Sequence, residues 1–152
     1  MSRALHLIVV GKLKDGALET IESDYLKRIT NPELIIHEVR ASAENKQAEG
    51  EALLKKIKDL GQGSAHIVAL SEWGKRYTSP KMSEWLCQLL ERSPRIIFLI
   101  AGAEGFSEEV LRVCHDKLSL SELTFPHKLA RILLVEQLYR AQTIRSGHPY
   151  HN

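Results

Sequence analysis

The last residues of the chain combine side chains that can exchange protons with a substrate. Residues 147–151 read GHPYH, which places His148, Tyr150 and His151 around one proline. Imidazole and phenol groups donate and accept hydrogen bonds, and both serve as proton-transfer groups in enzymes. This cluster makes the C-terminal tail a candidate catalytic site. A metal is not predicted there, because two histidines without a further ligand do not form a metal-binding set.

A strongly apolar helix is predicted over residues 128–144, directly before this tail. Glu136 and Arg140 lie four residues apart in it, in the order that favours an ion pair. An unpaired guanidinium on so apolar a helix would be costly, so two interpretations of Arg140 stay open. It forms a plain helix ion pair, or it faces a pocket or a subunit interface.

The same helix contains residues 132–135 (ILLV), four apolar residues in a row. No single face can hold all of them, and a helix that is apolar on several sides is usually buried on several sides. In a chain of this size, one side can cover a sheet while another side meets a second subunit. A homodimer through this helix is therefore predicted.

Glycines mark a second place where ligand chemistry is possible. Gly102 and Gly105 follow residues 96–100 (IIFLI), the most apolar predicted strand. Glycine often serves only as a turn residue, but it also lets a ligand lie against the backbone. Unusual residues also follow Leu70 and Leu120, at the ends of two other predicted strands. Ligands of parallel sheets bind beyond the carboxyl ends of the strands, so these three loops are predicted to build one pocket.

Alternating strand and helix patterns position these loops. Strands are predicted at residues 5–10, 34–39, 66–70, 96–100 and 118–120, and helices at residues 16–29, 47–60, 79–91, from Ser107 onward and 128–144. The alternation predicts one α/β domain over residues 1–152, with a mostly parallel sheet covered by helices on both faces. Residues 73–77 (WGKRY) are predicted as a loop, which either stacks bases and holds phosphates or packs its tryptophan against the fold.

The ends and faces of some helices are predicted as well. Ser79 is predicted to cap the third helix with Pro80 in its first turn, and Ser107 to cap the fourth. The first helix is predicted from apolar residues three and four positions apart, namely Leu18, Ile21, Tyr25 and Ile29.

The composition is that of an ordinary globular protein. The chain has 152 residues, of which 43% are hydrophobic and 26% charged, and its formal net charge is +2. An apolar run of membrane-spanning length and a signal-peptide pattern are both missing, so a cytoplasmic protein without a membrane partner is predicted. Cys87 and Cys114 are predicted to be reduced thiols. Because the net charge is low, any contact with RNA is expected to come from a local patch.

Several blocks of the sequence resemble a known family. Residues 124–141 (TFPHKLARILLVEQLYRA), followed by HPYH, resemble the C-terminal signature of the ribosomal large subunit methyltransferase H family, and the resemblance extends over the whole chain. Members of this family are small SPOUT-class enzymes that methylate N3 of a pseudouridine in 23S ribosomal RNA. The resemblance implies a SPOUT-type fold with a C-terminal trefoil knot. One departure is that family members often read GGPEG where this chain has AGAEG at residues 101–105.

The family also implies a cofactor and the residues that hold it. By resemblance, S-adenosylmethionine is expected to contact the matching positions in three loops, which are Leu70, Ser71, Gly102, Ser121, Glu122, Leu123, Thr124, Phe125 and Pro126. Methyl transfer to an imide nitrogen requires removal of its proton and close alignment of the reacting atoms. The candidates for positioning the base or removing the proton are His148, Tyr150 and His151, with Arg140 as a charge stabiliser.

Two functions from different classes follow from these observations. The first is S-adenosylmethionine-dependent methylation of 23S ribosomal RNA by a homodimer, with the assembled ribosome supplying much of the recognition surface. The second is a non-enzymatic, ribosome-associated ligand-binding α/β module, which would need the pocket loops but not the HPYH tail. The presence of the tail favours the enzyme.

Overall fold

The computed structural model describes residues 3–152; residues 1 and 2 of the predicted domain lie outside the described residues. Strands and helices alternate along the chain as the sequence predicts. The strands are β1 (Ala4–Val10), β2 (Leu34–Val39), β3 (Ala65–Arg76), β4 (Arg95–Ile100) and β5 (Asp116–Ser119). The helices are α1 (Gly16–Arg28), α2 (Lys46–Asp59), α3 (Ser79–Arg92), α4 (Glu108–Val113) and α5 (His127–Ser146).

The described strands form one sheet in the order β2-β1-β4-β3-β5. All neighbouring strands are parallel, with Val9 of β1 opposite Ile100 of β4. Strands β1 and β4 lie at the centre and are almost continuously apolar, as expected for strands that are covered on both faces. The prediction of an α/β fold with a parallel sheet is confirmed, and the C-terminal trefoil knot stays a prediction of the family resemblance.

Helices cover both faces of the sheet. Residues of α3 and α5, with Tyr25 and Leu26 of α1, pack on one face against Leu5, Leu7 and Phe98. Residues of α2 and α4 pack on the other face against Ile8 and Leu99. Alternate residues of a strand point to opposite faces, so each central strand supplies side chains to both apolar clusters.

Short polar side chains begin four of the helices. Asp15, Asn45, Thr78 and Ser107 each accept a hydrogen bond from a backbone N–H in the first turn, which satisfies a donor that has no partner within the helix. The prediction of Ser107 as a cap is confirmed. The prediction for α3 is wrong by one residue, since Thr78 is the cap and Ser79 is the first helical residue.

The loop predicted at residues 73–77 is largely strand. β3 continues to Arg76 through an irregularity, so that both Leu70 and Lys75 lie opposite Leu118 of β5. A Cβ atom at Gly74 would lie 2.6 Å from the carbonyl carbon of Lys117, so only a glycine lets the two backbones approach this closely. Because of this pairing, β5 begins at Asp116 and ends at Ser119, earlier than the predicted residues 118–120.

One face of α1 carries a buried carboxylate. Ile21 is 45% exposed, whereas Glu22 is buried. The guanidinium of Arg131 donates two hydrogen bonds to Glu22, of 2.6 and 2.9 Å, and one of 2.7 Å to Glu38. Burial alone would lower the pKa of Arg131, but these hydrogen bonds outweigh it and raise the pKa. The buried ion pairs, rather than an additional apolar residue, join α1, β2 and α5.

Cys87 and Cys114 are half-buried thiols, and burial raises the pKa of Cys114 to about 11. Over residues 3–152, no helix combines the length and apolarity that a membrane crossing requires. The same residues contain no cluster of three or more histidine, cysteine, aspartate or glutamate side chains arranged to hold a metal.

Candidate active site

A cleft of about 430 Å³ opens at the carboxyl end of the sheet. Its walls come from the segments that follow Leu70 in β3, Ile100 in β4 and Leu120 after β5, together with the start of α5. These are the three loops that the sequence predicts to converge. The volume lies in the range of small-molecule sites, which are commonly concave and largely apolar with a few polar groups.

Most of the residues predicted to hold a cofactor line this cleft. They are Leu70, Ser71, Gly102, Ser121, Leu123, Thr124 and Phe125. Glu122 instead extends over the surface and forms an ion pair of 2.9 Å with Arg76. Pro126 is the residue before the first turn of α5, and its carbonyl accepts from the N–H of Ala130. The structure thus places Glu122 and Pro126 beside the cleft, as supports of the loop between β5 and α5.

Hydrogen bonds hold this loop in shape. The hydroxyl of Ser119 donates to the carbonyl of Ser121, and the hydroxyl of Ser121 accepts from the N–H of Leu123. Thr124 then donates to the carboxylate of Glu72 in the extended part of β3. Together with the pair between Arg76 and Glu122, this contact joins two of the three cleft loops to each other.

Gly102 is backed by a buried carboxylate. A Cβ atom at this position would lie 2.7 Å from Oε1 of Glu49, which is 7% exposed. Glu49 also accepts a hydrogen bond of 3.0 Å from the N–H of Ser42, so its side chain is fixed. The absence of a side chain at Gly102 therefore allows the loop after β4 to pack directly on the first turn of α2.

Gly105 has a different conformational role. Its φ angle is +83°, in the left-handed region that favours glycine, and its N–H donates to the carbonyl of Gly102 at 3.1 Å. The turn is therefore closed by a hydrogen bond although the chain has AGAEG where family members often have GGPEG. The departure from the family pattern leaves a compact turn at the wall of the cleft.

Three of the four candidate catalytic residues, Arg140, Tyr150 and His151, lie together, but away from the cleft. Arg140 donates two hydrogen bonds to Glu136, of 2.9 and 3.1 Å, and its Nη1 lies 2.9 Å from Nδ1 of His151. The guanidinium also lies 4.9 Å from the ring centre of Tyr150. The helix ion pair proposed for Arg140 and Glu136 is confirmed, and the same arginine holds the tail against the last turns of α5.

Tyr150 is packed rather than free. Its hydroxyl lies 3.3 Å from that of Tyr25, and its ring meets Tyr139 edge-on with 4.7 Å between ring centres. The hydrogen bond with Tyr25, followed by burial, raises the pKa of Tyr150 to about 12. A phenol with this pKa is protonated near neutral pH, so it is suited to donate a hydrogen bond rather than to accept a proton.

The tail reverses direction at Gly147, where φ is +77° and the N–H of His148 donates to the carbonyl of Thr143. His148 is exposed and lines a separate cavity with Arg28 and Tyr139. Arg140 follows Ala130, the last α5 residue that lines the cleft, by ten positions, which corresponds to about 15 Å at 1.5 Å per residue. Within one chain, the tail and the cleft are thus well separated.

Some residues around the cleft carry no sequence signal that would have identified them. Phe106, Leu111 and Lys117 line it, and Glu49 supports it from α2. Glu49 stands on a polar helical face of the sequence, where a solvated carboxylate is the ordinary expectation. Only the packing of α2 beneath the loop after β4 shows that this carboxylate is buried.

Comparison with known proteins is consistent over nearly the whole chain. A family model described as "Predicted SPOUT methyltransferase" matches residues 4–151. A protein of Gluconacetobacter diazotrophicus named ribosomal RNA large subunit methyltransferase H is 42% identical over 151 residues, covering 97% of this chain and 96% of that protein. A protein of the same name from Legionella pneumophila is 35% identical over 150 residues, covering 95% of this chain and 96% of that protein.

A solved structure shares the fold. It is a probable methylase family protein from Haemophilus influenzae, which matches with a TM-score of 0.59 and 12% identity over 100% of this chain and 72% of that chain. The length of the family match and the identity to the curated relatives carry the assignment. The chain belongs to the SPOUT methyltransferases, within the ribosomal RNA large subunit methyltransferase H family.

Proposed function

We propose that this protein transfers the methyl group of S-adenosylmethionine to N3 of a pseudouridine in 23S ribosomal RNA, pseudouridine 1915, on the assembled ribosome. The observation that carries the proposal is the cleft at the carboxyl end of the sheet. Its three loops contain seven of the nine positions at which the family resemblance expects the cofactor. The names of the relatives supply the class of substrate, which is ribosomal RNA.

The residues of the cleft fit such a cofactor. Leu70, Ile100 and Leu120 offer apolar surface for a flat purine, while Ser71 and Thr124 offer hydroxyl groups. The turn at residues 102–105 also lines the cleft, and at Gly105 the space that a side chain would occupy is open. When bound, S-adenosylmethionine supplies the methyl group as an electrophile, which requires no metal.

The chain itself has to orient the acceptor and receive its proton. As the N3–methyl bond forms, the bond from the methyl carbon to the sulfonium sulfur would break and S-adenosylhomocysteine would leave, while the imide proton would pass to a base or to water. His148 and His151 are the candidate bases, since the raised pKa of Tyr150 makes it a donor. The hydrogen bond with Glu136 raises the pKa of Arg140, so the guanidinium stays protonated within that ion pair. To stabilise the deprotonated imide, it would have to exchange part of its contact with Glu136 for the substrate.

We further propose that the tail of one subunit serves the cleft of the other. Reacting atoms have to approach to roughly 3–3.5 Å, whereas tail and cleft lie about 15 Å apart along α5 of one chain. The spacing of four residues places them along one face of α5, and we call this face the α5 stripe. They are Leu129, Leu133, Glu136 and Arg140. Leu129 and Leu133 are 45% and 40% exposed, as expected of residues that a partner covers.

In the proposed dimer, twofold symmetry determines which ends of the two α5 helices lie side by side. In a twofold dimer, each contact between two residues occurs twice, so antiparallel α5 helices would place Arg140 of one chain near Leu129 of the other. Ala130 and His127 line the cleft at that end of α5. The tail, held at Arg140, would then reach the entrance of the neighbouring cleft, and each active site would contain residues of both subunits.

Methyl transfer from labelled S-adenosylmethionine to ribosomes that lack the modification tests the function. We expect incorporation into 23S ribosomal RNA at N3 of the proposed pseudouridine, and calorimetric binding of the cofactor by the protein alone. Cofactor binding without transfer to ribosomes, large subunits or free RNA would instead support the second candidate, a ligand-binding module. The side-chain cluster around Arg140 favours the enzyme over that module.

A further inference from the structure

Trp73 stands out on the rim of the cleft. It is 86% exposed, far more than Trp85, which stacks on Tyr77 with 5.0 Å between ring centres. Single exposed apolar residues are common on proteins, but an almost fully exposed tryptophan at the mouth of a binding cleft presents a large flat surface to whatever enters. Trp73 also lines the cleft itself.

The backbone beneath Trp73 is held firmly. Gly74 packs against the backbone of Lys117, and Lys75 resumes the pairing of β3 with β5. The N–H of Trp73 donates to the hydroxyl of Ser71 at 3.2 Å. Trp73 is therefore the exposed tip of an ordered strand irregularity, and its indole ring is carried by a platform that needs little reorganisation on binding.

Three cationic side chains lie on the strand segments that carry this tip, with Nζ of Lys75 5.0 Å from the ring centre of Tyr77. Lys75, Arg76 and Lys117 are all exposed and lie on the paired segments of β3 and β5. Carboxylates lie around the same cleft: Glu122 pairs with Arg76, Glu72 accepts from the hydroxyl of Thr124, and Glu104 is exposed on the loop after β4. The low net charge of the chain requires a local patch for RNA, and this rim provides cations around an aromatic plane.

We propose that Trp73 stacks on an unpaired base of the substrate RNA next to the target nucleotide, with Lys117 contacting the adjoining phosphate. This inference rests on the proposed function and adds a residue that positions the RNA at the mouth of the cleft. Single-stranded RNA is commonly bound by aromatic side chains that stack on bases beside cations that contact phosphates.

The test compares Trp73→Ala and Trp73→Phe with the wild type in methyl transfer to ribosomes. We expect Trp73→Ala to lower kcat/KM by about 5-fold to 150-fold, which corresponds to about 1–3 kcal/mol for one stacked base. The loss should fall mainly on KM for the ribosome, and Trp73→Phe should recover most of it. Ile35→Ala removes an exposed apolar side chain from β2, the opposite edge strand, and serves as the matched control without loss.

Two further measurements separate stacking from other roles. Cofactor affinity of Trp73→Ala should stay near that of the wild type, and Lys117→Ala should reduce the salt dependence of ribosome binding by about one counterion. Wild-type kcat/KM in Trp73→Ala would overturn the inference. So would a parallel loss of cofactor affinity, which would make Trp73 a cofactor contact, or a monomeric Trp73→Ala beside a dimeric wild type, which would make it a subunit contact.

If the proposed function is wrong, the wild type itself transfers no methyl group, which distinguishes this outcome from a loss confined to the Trp73 variants. In that case the fluorescence of Trp73 still tests whether it stacks on RNA bases. The chain has two tryptophans, so in the Trp85→Phe variant all tryptophan emission comes from Trp73. Stacking predicts that single-stranded oligouridylate quenches this emission and that added salt restores it. Emission that does not change up to millimolar oligonucleotide would overturn the inference without reference to methyl transfer.

Discussion

At the residue scale, Gly102 serves the fold as well as the proposed cofactor site. The sequence suggests that its missing side chain makes room for a ligand, but the added Cβ atom meets Glu49, which belongs to α2. A larger residue would therefore displace a buried carboxylate that also holds the N–H of Ser42. Glycine at this position keeps both the wall of the cleft and its support in place.

We expect Gly102→Val to abolish binding of S-adenosylmethionine, because the displaced loop no longer forms the cleft wall. The variant should still fold, with a free energy of unfolding lowered by about 1–3 kcal/mol, as is common for overpacking. Calorimetry and urea unfolding measure the two effects. Gly63→Val is the control, since a Cβ atom at Gly63 meets nothing within 4 Å. A folded Gly102→Val protein with wild-type affinity would contradict the prediction.

A second residue-scale prediction concerns His6, which is 6% exposed and lies 2.9 Å from His37 between ring nitrogens. Burial, followed by the charges of His37, Arg95 and Lys56, lowers the pKa of His6 from 6.5 to about 4. The unfolded chain thus binds a proton at a higher pH than the folded chain. The contribution of His6 to the free energy of unfolding is complete above about pH 6.5 and is lost as the pH falls toward about 4.

The measurement is the free energy of unfolding in urea at several pH values. With allowance for solvent screening, we expect His6 to contribute a fall of about 1–2 kcal/mol over this window. His6→Asn should show a correspondingly shallower decline, because it cannot take up a proton. An identical pH dependence in the two proteins would exclude His6 as its source.

At the element scale, α5 is anchored by Arg131 as much as by its apolar residues. Replacing Arg131 with Met would leave Glu22 and Glu38 without their shared cation, and breaking a buried pair costs about 3–5 kcal/mol. We expect a loss of stability of this size in urea unfolding. Arg112→Met removes an exposed arginine that pairs with Glu108, and should cost less than about 1 kcal/mol. Equal effects of the two substitutions would refute the special role of Arg131.

The same element shows how far sequence reasoning reaches. The apolar runs of β1 and β4, the cap at Ser107 and the convergence of three loops follow from local pattern, because period and turn residues are encoded locally. The partners of Arg131 lie 109 and 93 positions away, and no local pattern encodes such a pair. The extension of β3 through residues 73–76 was missed because its pairing depends on Gly74 meeting β5.

At the scale of the whole molecule, the proposed dimer uses the exposed stripe of α5. Leu133 lies between two buried neighbours, Ile132 and Leu134, yet is itself 40% exposed. We expect the wild type to sediment as a dimer at micromolar concentration and Leu133→Glu as a monomer that still binds S-adenosylmethionine. Ile35→Glu, on the opposite edge of the sheet, should stay dimeric. A monomeric wild type would rule out the shared active site.

The last prediction tests the shared site directly. Deleting residues 148–152 should abolish methyl transfer but spare cofactor binding, since no tail residue lines the cleft among residues 3–152. The deletion removes the contacts of Tyr150 with Tyr25 and Tyr139, so a loss of stability of about 1 kcal/mol is expected. Tyr150→Phe keeps the ring packing and loses the hydroxyl, which separates packing from chemistry. Full activity of the deleted protein would disprove a catalytic tail.

A mixed dimer then distinguishes a tail that acts on its own chain from one that acts on its partner. One subunit lacks residues 148–152 and has an intact cleft, whereas the other carries Gly102→Val and has an intact tail. If the tail serves the neighbouring cleft, one of the two sites is complete, and about half the wild-type rate per dimer should return. If the tail serves its own cleft, both sites lack a component and verified heterodimers stay inactive. Recovery in the heterodimer, with neither parent active alone, is the expected result, because about 15 Å of α5 separates the two halves of the site within one chain.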